Sequence, residues 1–119
     1  MDKGPDLRAM KKARDFLAGK IIKTPVLELS STKIKDLLPL EANVRMKLEL
    51  FQQTGSFKSR GALLALSKLT KSQKEKGVIA VSAGNHALAV SWAAMCAKTN
   101  AKVVMLESSD PVRIEGCRN

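Results

Sequence analysis

The stretch GVIAVSAGNHALAV, residues 77–90, gives the clearest indication of the fold class of this chain. It opens with a compact apolar run, GVIAVS (77–82), of the kind typical of a buried parallel strand. The next three residues, 83–85, predict a turn, and an alanine-rich helix follows from His86 to about Lys98. A buried strand that leads directly into a helix is the repeating unit of α/β proteins, so the stretch predicts an α/β fold with a parallel sheet.

The flanking residues extend this alternation in both directions. Downstream, AKVVML (101–106) predicts a strand, and Asp110-Pro111 the cap and first turn of another helix. Upstream, residues 57–69 predict a helix, and the alternation of polar and apolar residues in 43–50 predicts a strand with one covered face. The lysine-rich residues 71–76 are interpreted as a solvated connection. This order predicts parallel βαβ units with about three strands.

The N-terminal third predicts three further elements. Residues 6–19 have the apolar periodicity of an amphipathic helix, with Asp6 as its N-cap and Gly19 as its end. VLEL (26–29) predicts a short strand, and a helix is expected from Ser30 to about Leu38. Because three strands would leave edges and faces of a parallel sheet uncovered, we expect the sequence to be the N-terminal part of a longer protein.

Composition narrows the class of protein. Hydrophobic residues form 45% of the 119 residues, which excludes a disordered chain. The net charge is +10, but the lysines are dispersed and no aromatic residues are interleaved with them, so we expect no nucleic-acid binding. No apolar run is long enough for a signal peptide or a membrane span. Cys96 and Cys117 lack metal-ligand spacing, which favours a reducing, cytoplasmic location and no metal site.

The loop QQTGSFKSRGA (52–62) is the first candidate for chemistry. Gly55 allows a turn there, and Gly61 allows close packing of the helix that follows. Lys58 falls in the first helical turn, where the helix dipole disfavours a cation. An amine at this position is explained if it is held as an imine, since a Schiff-base lysine needs a fixed position. The alternative is an ordinary surface lysine.

The second candidate loop follows the strand at residues 77–82. Ser82, Gly84, Asn85 and His86 occupy a strand-to-helix turn whose free backbone N–H groups suit a carboxylate or a phosphate. His86 is the only histidine of the chain. Without a base or metal partner in view, a capping or packing role for this histidine stays open.

Both loops together resemble the motifs of the fold-type II pyridoxal-phosphate enzymes, in particular the threonine/serine ammonia-lyase and serine racemase group. The similarity lies in KLELFQQTGSFKSRGA (47–62), SAGNHA (82–87) and TPVLELSS (24–31), and it extends from about residue 6 to 118. It implies a three-layer α/β/α fold around a parallel sheet, of the tryptophan synthase β-subunit-like kind, here incomplete. Residues 1–50 would belong to the large domain and 51–119 to part of the small domain.

The resemblance also assigns roles. Lys58 would hold pyridoxal 5'-phosphate as an imine and later act as the general base on the substrate Cα–H, with Phe57 flanking it. Asn85 would donate a hydrogen bond to the phenolic oxygen of the cofactor. The residues around the substrate carboxylate would be Ser82, Gly84, Asn85 and His86. The implied reaction converts L-threonine or L-serine to a 2-oxo acid and ammonia in a homo-oligomeric full-length enzyme.

One position helps to choose between elimination and racemisation. Serine racemases resemble S-S-G-N-H in this loop, with the second serine as a proton carrier, whereas this chain has Ala83 there. A methyl group cannot carry a proton, so elimination is favoured and serine racemase is the alternative. The sequence has no glycine-rich run to hold the cofactor phosphate, so a truncated, non-catalytic form is a second alternative. The preference between threonine and serine stays open.

Overall fold

A computed structural model describes residues 4–29, 36–39 and 42–118. In these ranges the α-helices are α1 (Leu7–Leu17), α2 (Lys58–Ser67), α3 (Lys71–Lys76), α4 (Asn85–Ala97) and α5 (Pro111–Arg118). The strands are β1 (Val26–Glu28), β2 (Arg45–Lys47), β3 (Val78–Val81) and β4 (Ala101–Val104). Two short 3-10 helices, Glu49–Phe51 and Gln53–Gly55, lie between β2 and α2. No helix in the described part is long and apolar enough to cross a membrane.

The unit β3–α4–β4 forms as the sequence predicts. The two strands pair in parallel, with Val78 opposite Ala101 and Val81 opposite Val104. Helix α4 connects them and turns its small side chains inward, since Ala89 and Ala93 are completely buried. Alanine lets a helix approach its neighbours closely, because only a methyl group separates the backbones. The predicted α/β fold with parallel pairing is confirmed.

The prediction that residues 43–50 form a third parallel strand is wrong. The strand there is limited to β2, which pairs antiparallel with β1 and places Met46 opposite Leu27. All three residues of each strand are exposed, so this ribbon has no covered face. From Glu49 onward the chain coils into a 3-10 helix. Alternation of polar and apolar residues predicts extended backbone, but it does not predict the partner strand. That partner, β1, depends on contacts between distant segments of the chain.

The interpretation of residues 71–76 as a connection is also wrong, because these residues form helix α3. Thr70 begins it with a capping box: its hydroxyl accepts a hydrogen bond from the Gln73 backbone N–H, and the Gln73 side chain accepts one from the Thr70 N–H. This reciprocal pair satisfies two donors that a helix start leaves open. The spacing T-x-x-Q was the signal for this helix.

The N-terminal helix is confirmed with slightly shorter bounds. Asp6 accepts a hydrogen bond of 2.7 Å from the backbone N–H of Ala9, which fixes the start of α1. Gly19, with a φ of +74°, follows the end of the helix. Most of the helix expected at 30–38 lies outside the described residues, and the described part, 36–38, forms a turn.

The core lies between helices α1, α2 and α4 and one face of the β3–β4 sheet. Its buried members are Leu17, Ala62, Leu63, Leu66, Ala80, Ala89, Val90, Ala93 and Ala94. The opposite face of the sheet carries Ile79 and Val81, which are 72% and 77% exposed. Within the described residues, this sheet has two strands and a core on one of its faces.

Candidate functional site

Lys58 stands on a turn whose neighbours are fixed. Ser56 and Ser59 are 7% and 0% exposed, and the Ser59 hydroxyl donates a 3.2 Å hydrogen bond to the Ser56 carbonyl. The backbone N–H of Lys58 donates a longer bond, 3.4 Å, to the Ser56 hydroxyl. The Lys58 side chain itself is exposed at the first residue of α2. The backbone is therefore held in place while the amine stays accessible.

Phe57 lies beside that amine. The Nζ atom of Lys58 is 5.2 Å from the centroid of the Phe57 ring, which is within the range of a cation–π contact. The ring is 62% exposed, so it offers an open apolar face next to the lysine.

An ion pair anchors the helix two residues after the lysine. Arg60 donates from Nε to Glu49 Oε2 and from Nη2 to Glu49 Oε1, both at 2.7 Å. Thr24, buried on the N-terminal segment, donates its hydroxyl to Glu49 Oε1 at 2.5 Å. The hydrogen bond from Arg60, then that from Thr24 and the charges of Arg60 and Lys47, lower the pKa of Glu49 from 4.5 to about 2, against an opposing effect of burial. Glu49 is therefore ionised in the folded chain at neutral pH.

Gln52 fastens the start of the same loop. Its side-chain amide accepts from the backbone N–H of Ile22 at 2.9 Å and donates to the Ile22 carbonyl at 2.7 Å. Gln52 is 4% exposed, so this two-point pairing is shielded from water. Together with Glu49 and Arg60, it ties the loop to the segment around residues 22–24. Sequence reasoning missed these anchors; opposite charges on either side of the lysine motif were the available signal.

Residues 53–55 carry the loop onto helix α4. Thr54 has a φ of +61°, which is costly for a β-branched residue, and its buried hydroxyl has no hydrogen-bond partner among the described residues. Thr54 lines a cavity of about 340 Å³ with Leu88, Ser91 and Trp92 of α4, among other residues. The lysine loop therefore rests on the helix whose first residue is Asn85.

The second loop forms the predicted strand-to-helix turn. Ser82 follows β3, and its hydroxyl accepts a 3.2 Å hydrogen bond from the backbone N–H of Gly84. The first turn of α4 has neither a side-chain cap nor an acidic residue. A Cβ atom built on Gly84 would meet no atom within 4 Å, so the space in front of it is open. Free N–H donors facing open space suit an anion.

The side chains of this turn have different surroundings. Asn85 is exposed, and its Oδ1 accepts a 2.8 Å hydrogen bond from Nη1 of Arg113. Ala83 and His86 are exposed, and in the described part of the chain no hydrogen bond or ion pair involves the His86 ring. Nor does any such bond join Lys58 to residues 82–86. The structure thus places both motifs on packed elements, with no hydrogen bond between Lys58 and the second loop among the described residues.

The donor set fits pyridoxal phosphate. An accessible primary amine can condense with its aldehyde, a neighbouring side-chain amide can donate to its phenolic oxygen, and open backbone N–H groups can bind a carboxylate. A holder for its phosphate is not evident, because the sequence has no glycine-rich run. Among residues 4–29, 36–39 and 42–118, no cluster of three His, Cys, Asp or Glu side chains could hold a metal ion.

Comparison with known proteins gives consistent matches. Residues 17–119 match the family described as pyridoxal-phosphate dependent enzyme. The phenylserine dehydratase of Ralstonia pickettii is 42% identical over 115 residues, which cover 96% of this chain and 34% of that protein. The catabolic L-threonine dehydratase TdcB of Staphylococcus aureus is 46% identical over 89 residues, covering 75% and 23%.

A solved structure matches at the level of the fold as well. The serine racemase of Dictyostelium discoideum superposes with a TM-score of 0.78 at 34% identity, covering 92% of this chain and 34% of that one. The chain therefore spans about a third of the length of the relatives it matches.

Proposed function

Because this chain belongs to the pyridoxal-phosphate dependent enzymes, we propose that it carries the lysine and carboxylate-binding part of an ammonia-lyase for 3-hydroxy amino acids. The whole enzyme would convert L-threonine, L-serine or both to a 2-oxo acid and ammonia. The names of two relatives, a phenylserine dehydratase and a threonine dehydratase, support loss of a 3-hydroxyl group as the reaction. The observation that carries the proposal is the fixed backbone and accessible amine of Lys58.

Lys58 has the central role in this proposal. Bound pyridoxal phosphate would supply an aldehyde for the amine and a ring that accepts the electron pair left on the substrate Cα. The Nζ atom of Lys58 would hold the cofactor and, once freed by substrate, would take the Cα proton as a general base. The buried Ser56 and Ser59, with the Arg60–Glu49 pair, fix the origin of its side chain. Such a fixed origin limits where the amine can reach, as oriented catalysis requires. Phe57 would flank the cofactor ring.

The turn after β3 would orient the substrate. Ser82, Gly84, Asn85 and His86 would bind the substrate carboxylate through backbone and side-chain donors. The backbone N–H groups of Ser82 and Gly84 already donate to the Val104 carbonyl and the Ser82 hydroxyl, so those of Asn85 and His86 are the open backbone donors among the described residues. The Asn85 amide would donate to the phenolic oxygen of the cofactor. In racemisation, a second group must return a proton to the opposite face of Cα, and the exposed methyl group of Ala83 cannot do so. Elimination is therefore the favoured reaction, and serine racemase, the activity of one structural relative, is the second candidate.

The wider setting of the chain belongs to the same proposal. Residues 1–50 would be part of the large domain of the whole enzyme, and 51–119 part of the small domain. A homo-oligomer in the cytoplasm is proposed for the whole enzyme, and two free cysteines, Cys96 and Cys117, agree with a reducing compartment. The open face of the β3–β4 sheet also supports the alternative that this chain is a truncated, non-catalytic form.

The test is chemical trapping of the cofactor on the 119-residue chain. The purified chain is mixed with pyridoxal phosphate, reduced with borohydride and digested, and the labelled peptides are quantified by mass spectrometry. We expect label on Lys58 well above that on every other lysine. Lys58→Arg keeps the charge and should abolish this label, whereas Lys68→Arg, at the exposed end of the same helix, should leave it unchanged. Label distributed evenly over many lysines would refute an organised lysine site in this chain.

The reaction itself is tested in the same preparation. Incubation with L-threonine, L-serine and L-threo-phenylserine is followed by measuring 2-oxo acid release and D-amino acid formation. Any turnover should give 2-oxo acid in clear excess over D-serine. Comparable amounts of both products from L-serine would contradict the assignment to elimination.

A further inference from the structure

Arg113 forms a hydrogen bond with a neutral amide side chain. Its guanidinium donates from Nη1 to Oδ1 of Asn85 at 2.8 Å, joining the first turn of α5 to the first residue of α4. In the described part of the chain, Arg113 forms no ion pair with a carboxylate. A half-buried guanidinium thus donates to the neutral amide oxygen of Asn85, a proposed cofactor-binding residue.

This hydrogen bond fixes which end of the amide faces away. A guanidinium carries only donors, so it can bond to the oxygen of an asparagine side chain and not to its NH2 group. While Arg113 holds Oδ1, the Nδ2 group is the part of Asn85 left to donate elsewhere. A positive charge on the oxygen side also polarises the amide and strengthens Nδ2–H as a donor, because hydrogen bonds in a chain reinforce one another.

We propose that Arg113 is a positioning residue that sets the orientation of the Asn85 amide, so that its NH2 group is offered to an oxygen acceptor. This inference rests on the proposed function in one respect: the acceptor is the phenolic oxygen of the cofactor. Arg113 does not touch the cofactor; it acts through Asn85.

A role of Arg113 in orienting Asn85 can be distinguished from a role in holding α5 against α4, because a second contact joins these two helices. Gly116 lies so close to Leu88 that a Cβ atom built on Gly116 would be 2.8 Å from Leu88 Cδ2. Removal of the Arg113 head group therefore leaves the close packing of Gly116 on Leu88 in place. Arg118, at the end of the same helix, pairs with Glu115 at 3.9 Å and offers a matched control.

The first measurement needs no cofactor. Side-chain amide resonances of Asn85 are recorded by 15N-resolved NMR in the 119-residue chain and in Arg113→Met, Arg113→Lys and Arg118→Met. We expect the Asn85 NH2 pair to shift in Arg113→Met, to return part of the way in Arg113→Lys and to stay in place in Arg118→Met. Unchanged Asn85 resonances in Arg113→Met would overturn the inference. If Arg113→Met does not fold, the Asn85 NH2 resonances of Arg113→Lys are compared with those of Arg118→Met. A shift in Arg113→Lys alone would support the inference, and no shift in either variant would overturn it.

The second measurement adds pyridoxal phosphate and follows the visible absorption of the Lys58 imine against pH, with Lys58→Arg subtracted. A donor on the phenolic oxygen withdraws negative charge that would otherwise stabilise the protonated imine. In Arg113→Met, where the Asn85 NH2 group is no longer held towards the phenolic oxygen, the imine pKa should therefore rise. The expected rise is about half a unit to one unit, the equivalent of one hydrogen bond. Arg118→Met should show no such rise.

The two measurements distinguish the two failures. If the unaltered chain forms no imine specific to Lys58, the proposed function fails, and the Asn85 resonances alone decide the role of Arg113. If the imine forms and Arg113→Met changes neither its pKa nor the resonances, the proposed function stands and the inference fails.

Discussion

Glu49→Gln should destabilise the chain in a way that depends on pH. In the folded chain, hydrogen bonds from Arg60 and Thr24 lower the pKa of Glu49 from 4.5 to about 2. Each unit of pKa difference between the folded and unfolded states is worth about 1.4 kcal/mol, so the ionised carboxylate contributes about 3 kcal/mol at pH 7. The side chain of Glu49 is only 16% exposed, so solvent screens little of this contribution.

The sign of the pH dependence follows from the lowered pKa. A carboxyl group with a depressed folded-state pKa contributes its full stability above the unfolded value, here about 4.5, and loses it as the pH falls towards about 2. The gap in unfolding free energy between the unaltered chain and Glu49→Gln should therefore shrink from about 3 kcal/mol at pH 7 to about 1 kcal/mol at pH 3.

Urea unfolding followed by Trp92 fluorescence measures this gap, because Trp92 is the only tryptophan and packs against the core. Glu107→Gln removes an exposed carboxylate and should change the unfolding free energy by less than about 0.5 kcal/mol at either pH. A gap for Glu49→Gln that is equally large at pH 7 and pH 3 would refute the electrostatic explanation, since the loss would then come from packing.

Three further substitutions test the local geometry, each by urea unfolding at pH 7. Gly77→Ala should cost more than about 1 kcal/mol, because the residue has a φ of +82° and a Cβ would lie 2.8 Å from the Asn100 carbonyl oxygen; an unchanged midpoint would contradict this. Ala93→Leu should cost about 1–3 kcal/mol, because this completely buried methyl group faces a filled core, and a neutral result would mean that the core has room. Thr54→Gly should stabilise the chain by about 1 kcal/mol, because it relieves a strained backbone and removes a buried hydroxyl without a partner among the described residues; destabilisation would show that the side chain packs better than its geometry indicates.

The sequence predicts those parts of the fold whose signals are local. The β3–α4–β4 unit is recognisable because an apolar run, a glycine turn and an alanine-rich helix follow one another directly. The pairing of β2 is not, since its partner β1 is chosen by contacts between distant segments. Helix α3 was missed although its capping box is local, because its lysine content favoured a solvated loop.

In the candidate site, too, the local features could be predicted from the sequence and the long-range contacts could not. The motif positions, from Lys58 to His86, follow from the order of residues and their resemblance to a family, and their proposed roles stay predictions. The partners that hold two of these regions do not: Arg60 reaches Glu49 across 11 positions and Arg113 reaches Asn85 across 28. The opposite charges of Glu49 and Arg60 are visible in the sequence, but which groups pair depends on how the helices pack.

The completely buried alanines of α4 restrict how this chain can change over generations. Glycine at Ala89 or Ala93 would cost about 1 kcal/mol of helix propensity, and any larger residue would push the helix away from its neighbours. Since the turn at residues 82–85 leads into that helix, a displacement deep in the core would move the proposed anion-binding donors with it. A larger residue in α4 is therefore viable only together with a smaller one opposite it. Substitutions along this helix should be inherited as matched pairs rather than one at a time.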